Sequence, residues 1–596
     1  MTEHDCPATL CEAFQATVAR YPQQVALRTP GGAVTLTWQQ YAGRVREIAA
    51  GLAGLGVGHG DTVALMMTNR PEFHLVDTAA FHLGAVPFSI YNTFAPEQIR
   101  QLLSNAGSRV VVCEEQFAAG LLAARHRAAA GHVVCVDGKP DGTVTLEEVV
   151  AGGDRAFGFE ACWWAVQPDD VLTLIYTSGT TGPPKGVEIT HAQMLAELTA
   201  MNSLMPHGAG DRAISYLPMA HVAERFASHY TAMFTGMQAT ALADVKDLPG
   251  ALREVRPTFF GAVPRVWEKL KAGIEARVTC EPNQARRVAA QQAFATAREY
   301  VAAAEAGPVP AGLAAAYRRA GEQVLSKIRS AAGLDQVRIA ICGAAPIAPE
   351  ILRFMLGLGI QVTEVWGMSE TSCIGTANPP GAIRIGTVGT AIPGVELKLA
   401  GDGELLVRGP TVMKGYHNDP VKTAEAIDPN GWLHTGDIAT IDADGYVRIV
   451  DRKNDLIINA AGKNMSPANI ETAILAASPL IAQVVAIGDR RPYVVALIVL
   501  DPDAAAAFAA HAGATDASPA ALATNPAIRA AVDAAVHTGN STLSRAEQAK
   551  CFTILPACWE PGGEEITPTM KLKRRPIAAK YAEVIDSMYA TAVQSA

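Results

Sequence analysis

From Leu36 to Glu115 the chain alternates between two periodicities, and this alternation restricts the fold more than any other feature. Tyr41 to Leu55 carries apolar residues at helical spacing and ends at Gly56. Pro71 to Leu83 does the same and ends at Gly84, and Pro96 to Ser104 forms a third helical run. Between them Thr62 to Met67, Val86 to Ile90 and Arg109 to Cys113 read as short strands. Such alternation implies parallel strands with helices on both faces. At 596 residues the chain is too long for one hydrophobic core and splits into at least two domains.

The run VLTLIYTSGTTGPPKGV, residues 171 to 187, then states a chemistry. Val171 to Tyr176 is apolar enough for a buried strand, which empties into Thr177, Ser178, Gly179, Thr180, Thr181 and Gly182. Glycines let successive backbone N–H groups turn inward, hydroxyls add donors, and Lys185 adds a point charge, which is how a loop wraps nucleotide phosphates. The common P-loop needs Gly-Lys followed by Ser or Thr at the mouth of a helix. Lys185 instead follows two prolines and precedes Gly186, so the expected device is a mobile cover over phosphates.

Elsewhere the chain is quieter. Residues 138 to 168 mix Gly, Asp and Glu and read as a surface connection, whereas 268 to 333 are rich in Ala, Arg, Glu and Gln and read as helices. After about Thr387 strands dominate: GELLVRG at 403 to 409, then a hairpin over Ile438 to Val450 turning at Asp444-Gly445. A calcium loop starting near Asp442 fails, because Lys453 stands where a bidentate Glu is required. Residues 452 to 596 read as a small α+β domain with an Ala- and Thr-rich insertion around 505 to 535.

A net charge of −9 without long charged blocks gives no footing for nucleic acid. The one dense basic cluster is Lys571, Lys573, Arg574 and Arg575. No signal-peptide pattern is visible, no apolar run approaches the ~18 residues of a bilayer span, and the ten cysteines show no zinc-type spacing. Cytoplasmic location is the expectation; peripheral membrane contact and oligomeric state stay open.

YTSGTTGPPKG resembles the signature of the adenylate-forming enzymes, the superfamily of acyl-CoA synthetases, peptide-synthetase adenylation domains and luciferases. The resemblance runs from about Phe14 to about Met588 and looks closest to the long-chain fatty acyl-CoA synthetases of the bubblegum-type branch. It implies roles for further segments. In Trp366-Gly367-Met368-Ser369-Glu370 the aromatic ring packs on adenine, Ser369 touches the α-phosphate, and Glu370 holds Mg²⁺. Trp366 and Ser369 replace the usual tyrosine and threonine and keep a π-face and a hydroxyl donor. Gly343, Ala344 and Ala345 are implied to border the adenine. Asp437 in Thr435-Gly436-Asp437 clamps the ribose hydroxyls, and Arg452 reaches ribose or phosphate. His221 of YLPMAH lies by the reacting carboxylate and gates the thiol path, and Trp267 of VPRVWE is implied to gate the fatty acid, unless these two are simply core residues. Lys571 is the implied catalytic lysine with Lys573 as runner-up, and the hinge falls at Asn454, where relatives carry Asp or Lys.

The implied fold is α/β: a large N-terminal adenylation domain, 1–451, of doubly wound sheets with a β-rich subdomain, followed by a small mobile α+β domain, 452–596. The implied reaction consumes fatty acid, ATP with Mg²⁺, and coenzyme A. A carboxylate attacks ATP to give acyl-AMP, and the coenzyme A thiol then takes the acyl group. Two rivals stand beside it: a fatty acyl-AMP ligase that serves a carrier protein, and a non-catalytic nucleotide or lipid sensor.

Overall fold

A computed structural model describes residues 7–125, 131–177, 184–453, 455–458, 464–567 and 570–593. The chain divides into two compact units. The first is Met1–Ala344, Leu352–Lys398 and Leu406–His434; the second is Ala345–Ile351, Leu399–Leu405 and Thr435–Ala596.

The alternation of residues 36 to 115 becomes the heart of an eight-stranded sheet in the first unit. Its order is Gly415–Tyr416, Lys185–Thr190, Val171–Thr177, Val86–Ser89, Thr62–Met66, Val110–Cys113, His132–Cys135 and Val144–Thr145. From Val171–Thr177 onward every neighbouring pair is parallel, and the two strands before it are antiparallel additions. The strand after Thr62–Met66 in sequence lies on one side of it and the next lies on the other, so the order reverses there, as at the switch point of a doubly wound sheet. Thr62–Met66 and Val110–Cys113 are buried along their whole length because helices cover both faces.

A five-stranded sheet runs Phe259–Ala262, Ile339–Cys342, Val362–Trp366, Thr376–Ala377, Thr390–Ala391, parallel over its first three strands. A four-stranded sheet joins Arg212–Ser215, Gln238–Ala241, Val25–Arg28 and Thr35–Thr37. Residues 264 to 332 are helical as expected.

Residues 138 to 168 are more than a surface connection. Thr145 and Glu148 close a capping box on the helix Leu146–Ala151, and Leu146, Val149, Phe159 and Trp163 are buried. The helix Trp38–Gly54 meets this segment at Gly51, where a Cβ would stand 2.5 Å from the Val149 carbonyl oxygen. Only glycine allows that approach.

In the second unit the strand Val494–Leu500 is buried throughout, antiparallel to Ile481–Ile487 and parallel to Ala549–Ile554. Its alternation feeds two cores. Val494, Ala496, Ile498 and Leu500 join Ile470, Ile474, Ile528 and Val532 on one face. Val495, Leu497 and Val499 meet Trp559, Ile577, Ile585 and Met588 on the other. The Ala-rich stretch from 502 to 541 supplies helices to the first of these.

Candidate functional site

Within the first unit three distant segments meet at one phenol ring. Lys185 opens the strand Lys185–Thr190, paired with Thr177 in antiparallel register. Ser178, Gly179, Thr180, Thr181 and Gly182 lie outside the described residues. The Lys185 Nζ stands 4.6 Å from the ring centroid of Tyr416. Tyr416 is fixed beside it because Gly415–Tyr416 pairs with the same strand, Tyr416 opposite Val187. The Tyr416 hydroxyl donates to Glu370 Oε1 at 2.9 Å. A small cavity of about 130 Å³ opens beside Lys185 and Tyr416.

Glu370 sits in the tight turn Ser369–Thr371 and is 7% exposed. No Lys, Arg or His pairs with it among the described residues, which hold no cluster of three metal-ligating side chains either. A buried carboxylate whose side-chain donor among the described residues is one phenol fits a hard cation that completes its shell from phosphate and water, as Mg²⁺ does.

The same stretch builds a flat platform. Trp366 ends the strand Val362–Trp366 and is buried, its ring against Gly375. At Gly367 a Cβ would stand 1.9 Å from the Cys373 carbonyl oxygen, so the backbone leaves no room for a side chain. Gly343, following the neighbouring strand, lies where a Cβ would meet Val365 at 2.8 Å, and Ala344 adopts a left-handed φ of 71°. That angle is strained for a residue with a Cβ. Ala345 is grouped with the second unit.

His221 and Trp267 belong to the first unit but not to this assembly. His221 is half-buried and its Nδ1 accepts from the Ala223 amide at 3.1 Å, capping the helix that follows. Trp267 is fully buried, edge-on to Phe260, and its indole N–H has no hydrogen-bond partner among the described residues. The segment that leads to His221 rests on a buried polar network the sequence did not single out. Glu224 accepts from the Leu217 amide at 3.1 Å and from the Ser228 hydroxyl. Burial pushes its carboxyl up to about 7. The Asn69 amide donates to Ser215 and to the Leu217 carbonyl. Arg225 donates to the Met219 carbonyl and pairs with fully buried Asp77 at 2.7 Å. Burial would raise Asp77, but Arg225 and His229 hold it below its usual range.

The second unit contributes a separate set. Asp437 and Arg452 stand opposite each other in the hairpin, with Arg452 Nε 2.7 Å from Asp437 Oδ1. Asp437 is 4% exposed, while the Arg452 side chain is half-open to solvent. Lys453 pairs with Asp402 at 2.6 Å and Glu404 at 3.1 Å. Asn454 lies outside the described residues. Lys571 is exposed, and its backbone N–H donates to Thr567 Oγ1 at 2.9 Å while its carbonyl accepts from the Thr567 amide. Lys573 instead donates its ammonium to the Gly563 carbonyl at 2.7 Å, and Arg574 grips Glu471 with both nitrogens. Of the basic cluster, these two are committed to holding the unit together.

Comparison with known proteins gives the family. The family described as AMP-binding enzyme matches residues 14–417, and the AMP-binding enzyme C-terminal domain matches 454–593. The chain is 54% identical to FadD11 of Mycobacterium tuberculosis over 76% of its own length and 79% of that protein. It is 36% identical to the long-chain-fatty-acid–CoA ligase FadD15 of Mycobacterium bovis, covering 93% of the chain and 92% of the relative. The long-chain-fatty-acid–CoA ligase ACSBG2 of Gallus gallus is 32% identical over 99% of the chain and 82% of its own length. Among solved structures, the anthranilate CoA ligase AuaEII superposes with a TM-score of 0.74 at 18% identity, covering 98% of this chain and all of that one. ATP-bound MatB of Rhodopseudomonas palustris gives 0.70 at 22%, covering 96% and 99%. These two share the fold.

Proposed function

The chain belongs to the AMP-binding enzymes, and from that premise we propose that it is a long-chain fatty-acid–CoA ligase that forms AMP. The relatives that carry the fatty-acid–CoA ligase name span almost its whole length. The observation that carries the assignment of residues is the meeting of Lys185 and Glu370 on Tyr416, one cation and one carboxylate brought from sites far apart in sequence.

In the first step an oxygen of the fatty carboxylate bonds to the α-phosphorus of ATP, and the bond to the bridging oxygen breaks to release pyrophosphate. In the second step the coenzyme A sulfur bonds to the acyl carbon, the bond to the AMP oxygen breaks, and the thiol proton is lost. Neither step needs a covalent enzyme intermediate, so catalysis rests on positioning and electrostatics. Lys185 meets the outer phosphates, with the Thr177 hydroxyl and Ser178, Gly179, Thr180, Thr181 and Gly182 around them. Trp366 and Gly367 with Gly343, Ala344 and Ala345 take the adenine, and Ser369 the α-phosphate. Glu370 holds Mg²⁺, which when bound offsets charge on the phosphates. Asp437, oriented by Arg452, accepts the ribose hydroxyls. Lys571 bridges carboxylate and α-phosphate, where two anions must approach. His221 and Trp267 border the acyl and thiol paths. The second step requires residues 452–596 to pivot about Asn454.

A cytoplasmic location belongs to this proposal, supported by described cysteines that are all free thiols; no helix among the described residues is long and apolar enough to cross a membrane. The test is incubation with ATP, Mg²⁺, coenzyme A and a panel of acids from acetate to very long chains. Acyl-CoA, AMP and pyrophosphate should appear with long-chain acids. Acyl-AMP that accumulates and is never passed to free coenzyme A would instead select the carrier-protein ligase.

A further inference from the structure

Lys185 and Glu370 carry opposite charges and flank one side chain, yet they form no ion pair with each other among the described residues. Tyr416 stands between them. Its ring faces the ammonium, and its hydroxyl takes one carboxylate oxygen. We infer that Tyr416 is a positioning residue with two separable parts: its hydroxyl orients Glu370 toward the cation, and its ring holds Lys185 ready for phosphate. This rests on the roles given to Lys185 and Glu370 above.

The placement is built and firm. Tyr416 is 9% exposed, so its hydroxyl has little water to turn to. Its backbone N–H donates to Thr423 Oγ1 at 2.8 Å, and a side chain at Gly415 would stand 2.9 Å from Thr423 Cγ2, so strand and helix Pro420–Ala426 lock together. On its other edge the strand pairs with Lys185–Thr190, and His417 is tied to Glu188 at 2.8 Å. The ring therefore cannot drift from Lys185 without disturbing the sheet. A direct Lys185–Glu370 pair would neutralise both groups. A neutral aromatic between them keeps the two charges apart, so that each stays available to phosphate or to a divalent cation while the ring and hydroxyl hold it in place.

The hydroxyl and the ring are tested apart by Tyr416→Phe and Tyr416→Leu. Calorimetric titration of the full chain with ATP, once with Mg²⁺ and once with EDTA, and with no fatty acid present, reads binding without turnover. Tyr416→Phe should weaken Mg²⁺-ATP by about tenfold, as loss of a partner that orients a metal-binding carboxylate does, and leave ATP in EDTA unchanged. Tyr416→Leu should weaken both. Glu370→Gln, run in parallel, should match Tyr416→Phe, and the double variant should be no worse than Glu370→Gln. If Glu370→Gln loses Mg²⁺-ATP affinity while Tyr416→Phe stays within twofold of the parent, the inference is wrong and the role of Glu370 stands. If Glu370→Gln itself binds normally, both fall. Equal losses with and without Mg²⁺ in Tyr416→Phe, with a lowered melting temperature, would reduce the hydroxyl to a structural role and overturn the inference.

Discussion

Replacing Arg574 with Met should loosen the second unit in a way that depends on pH. Arg574 Nη1 and Nη2 lie 2.6 and 2.8 Å from the two Glu471 oxygens, and Asp455 stands 3.7 Å from Nε. The Glu471 side chain keeps only 10% of its exposure, against 22% for Arg574. Burial raises the Glu471 carboxyl, and attraction to Arg574 offsets only part of that, so it stays above its usual value. Removing the arginine leaves the carboxylate with the Ala486 N–H, 2.8 Å away, as its remaining described donor. Breaking a buried pair from one side costs about 3–5 kcal/mol. The retained amide and the partly open arginine place this change near about 3 kcal/mol, roughly a hundredfold in the opening equilibrium. A carboxyl whose pKa is higher folded than unfolded takes up a proton on folding, so stability is gained as pH falls through that window and lost as it rises. In Arg574→Met the window widens upward, and lowering pH from 8 to 6 should restore up to about 1.4 kcal/mol per unit. Native-state hydrogen exchange on the full chain, corrected for intrinsic rates, reads this in peptides covering Ile481–Ile487 and Val494–Leu500. Adding Glu471→Leu should recover most of the loss. Protection within threefold of the parent at pH 8, or an equal loss at both pH values, would refute the reasoning.

Two other sites give sharp expectations. Glu197 is fully buried, with Oε1 accepting from the Ile374 amide at 3.0 Å and Oε2 without a partner among the described residues; burial pushes its carboxyl well above the usual range. With that carboxyl raised on folding, stability should decline as pH rises above the unfolded value, and Glu197→Gln should flatten that part of the melting-temperature profile while costing less than about 1 kcal/mol; an unchanged slope would contradict this. Gly367→Ala must move backbone, since its Cβ would overlap the Cys373 carbonyl. It should cost about 3 kcal/mol in thermal unfolding and abolish ATP binding, and a variant that melts and binds like the parent would show that the turn has slack.

The sheet strands of residues 62 to 113 were legible because four or five residues with one periodicity are enough to declare a strand. Gly415–Tyr416 was not, because two residues have no period and their partner strand lies more than 220 positions away. Tyr416 was therefore missed, although it joins two residues that the motifs did name. Leu146–Ala151 left a usable signal in Thr145-x-x-Glu148, overridden by the density of Gly, Asp and Glu around it. Glu224 had no signal, since its importance lies in being buried against Leu217 and Ser228. Spacing alone could not show that the Lys573 ammonium is taken by the Gly563 carbonyl.

The central claim is that one chain makes acyl-AMP and then acyl-CoA, with Lys571 serving the first step alone. It is tested most directly by following both half-reactions in Lys571→Ala, Lys573→Ala and the parent with radiolabelled long-chain acid. With acid and ATP, Lys571→Ala should form adenylate ~10²–10³-fold more slowly, the cost of one electrostatic contact at the developing charge. Given pre-formed acyl-AMP and coenzyme A, it should make acyl-CoA at the parent rate. Equal impairment in both halves, or a defect in adenylation that follows Lys573 instead, would contradict the account.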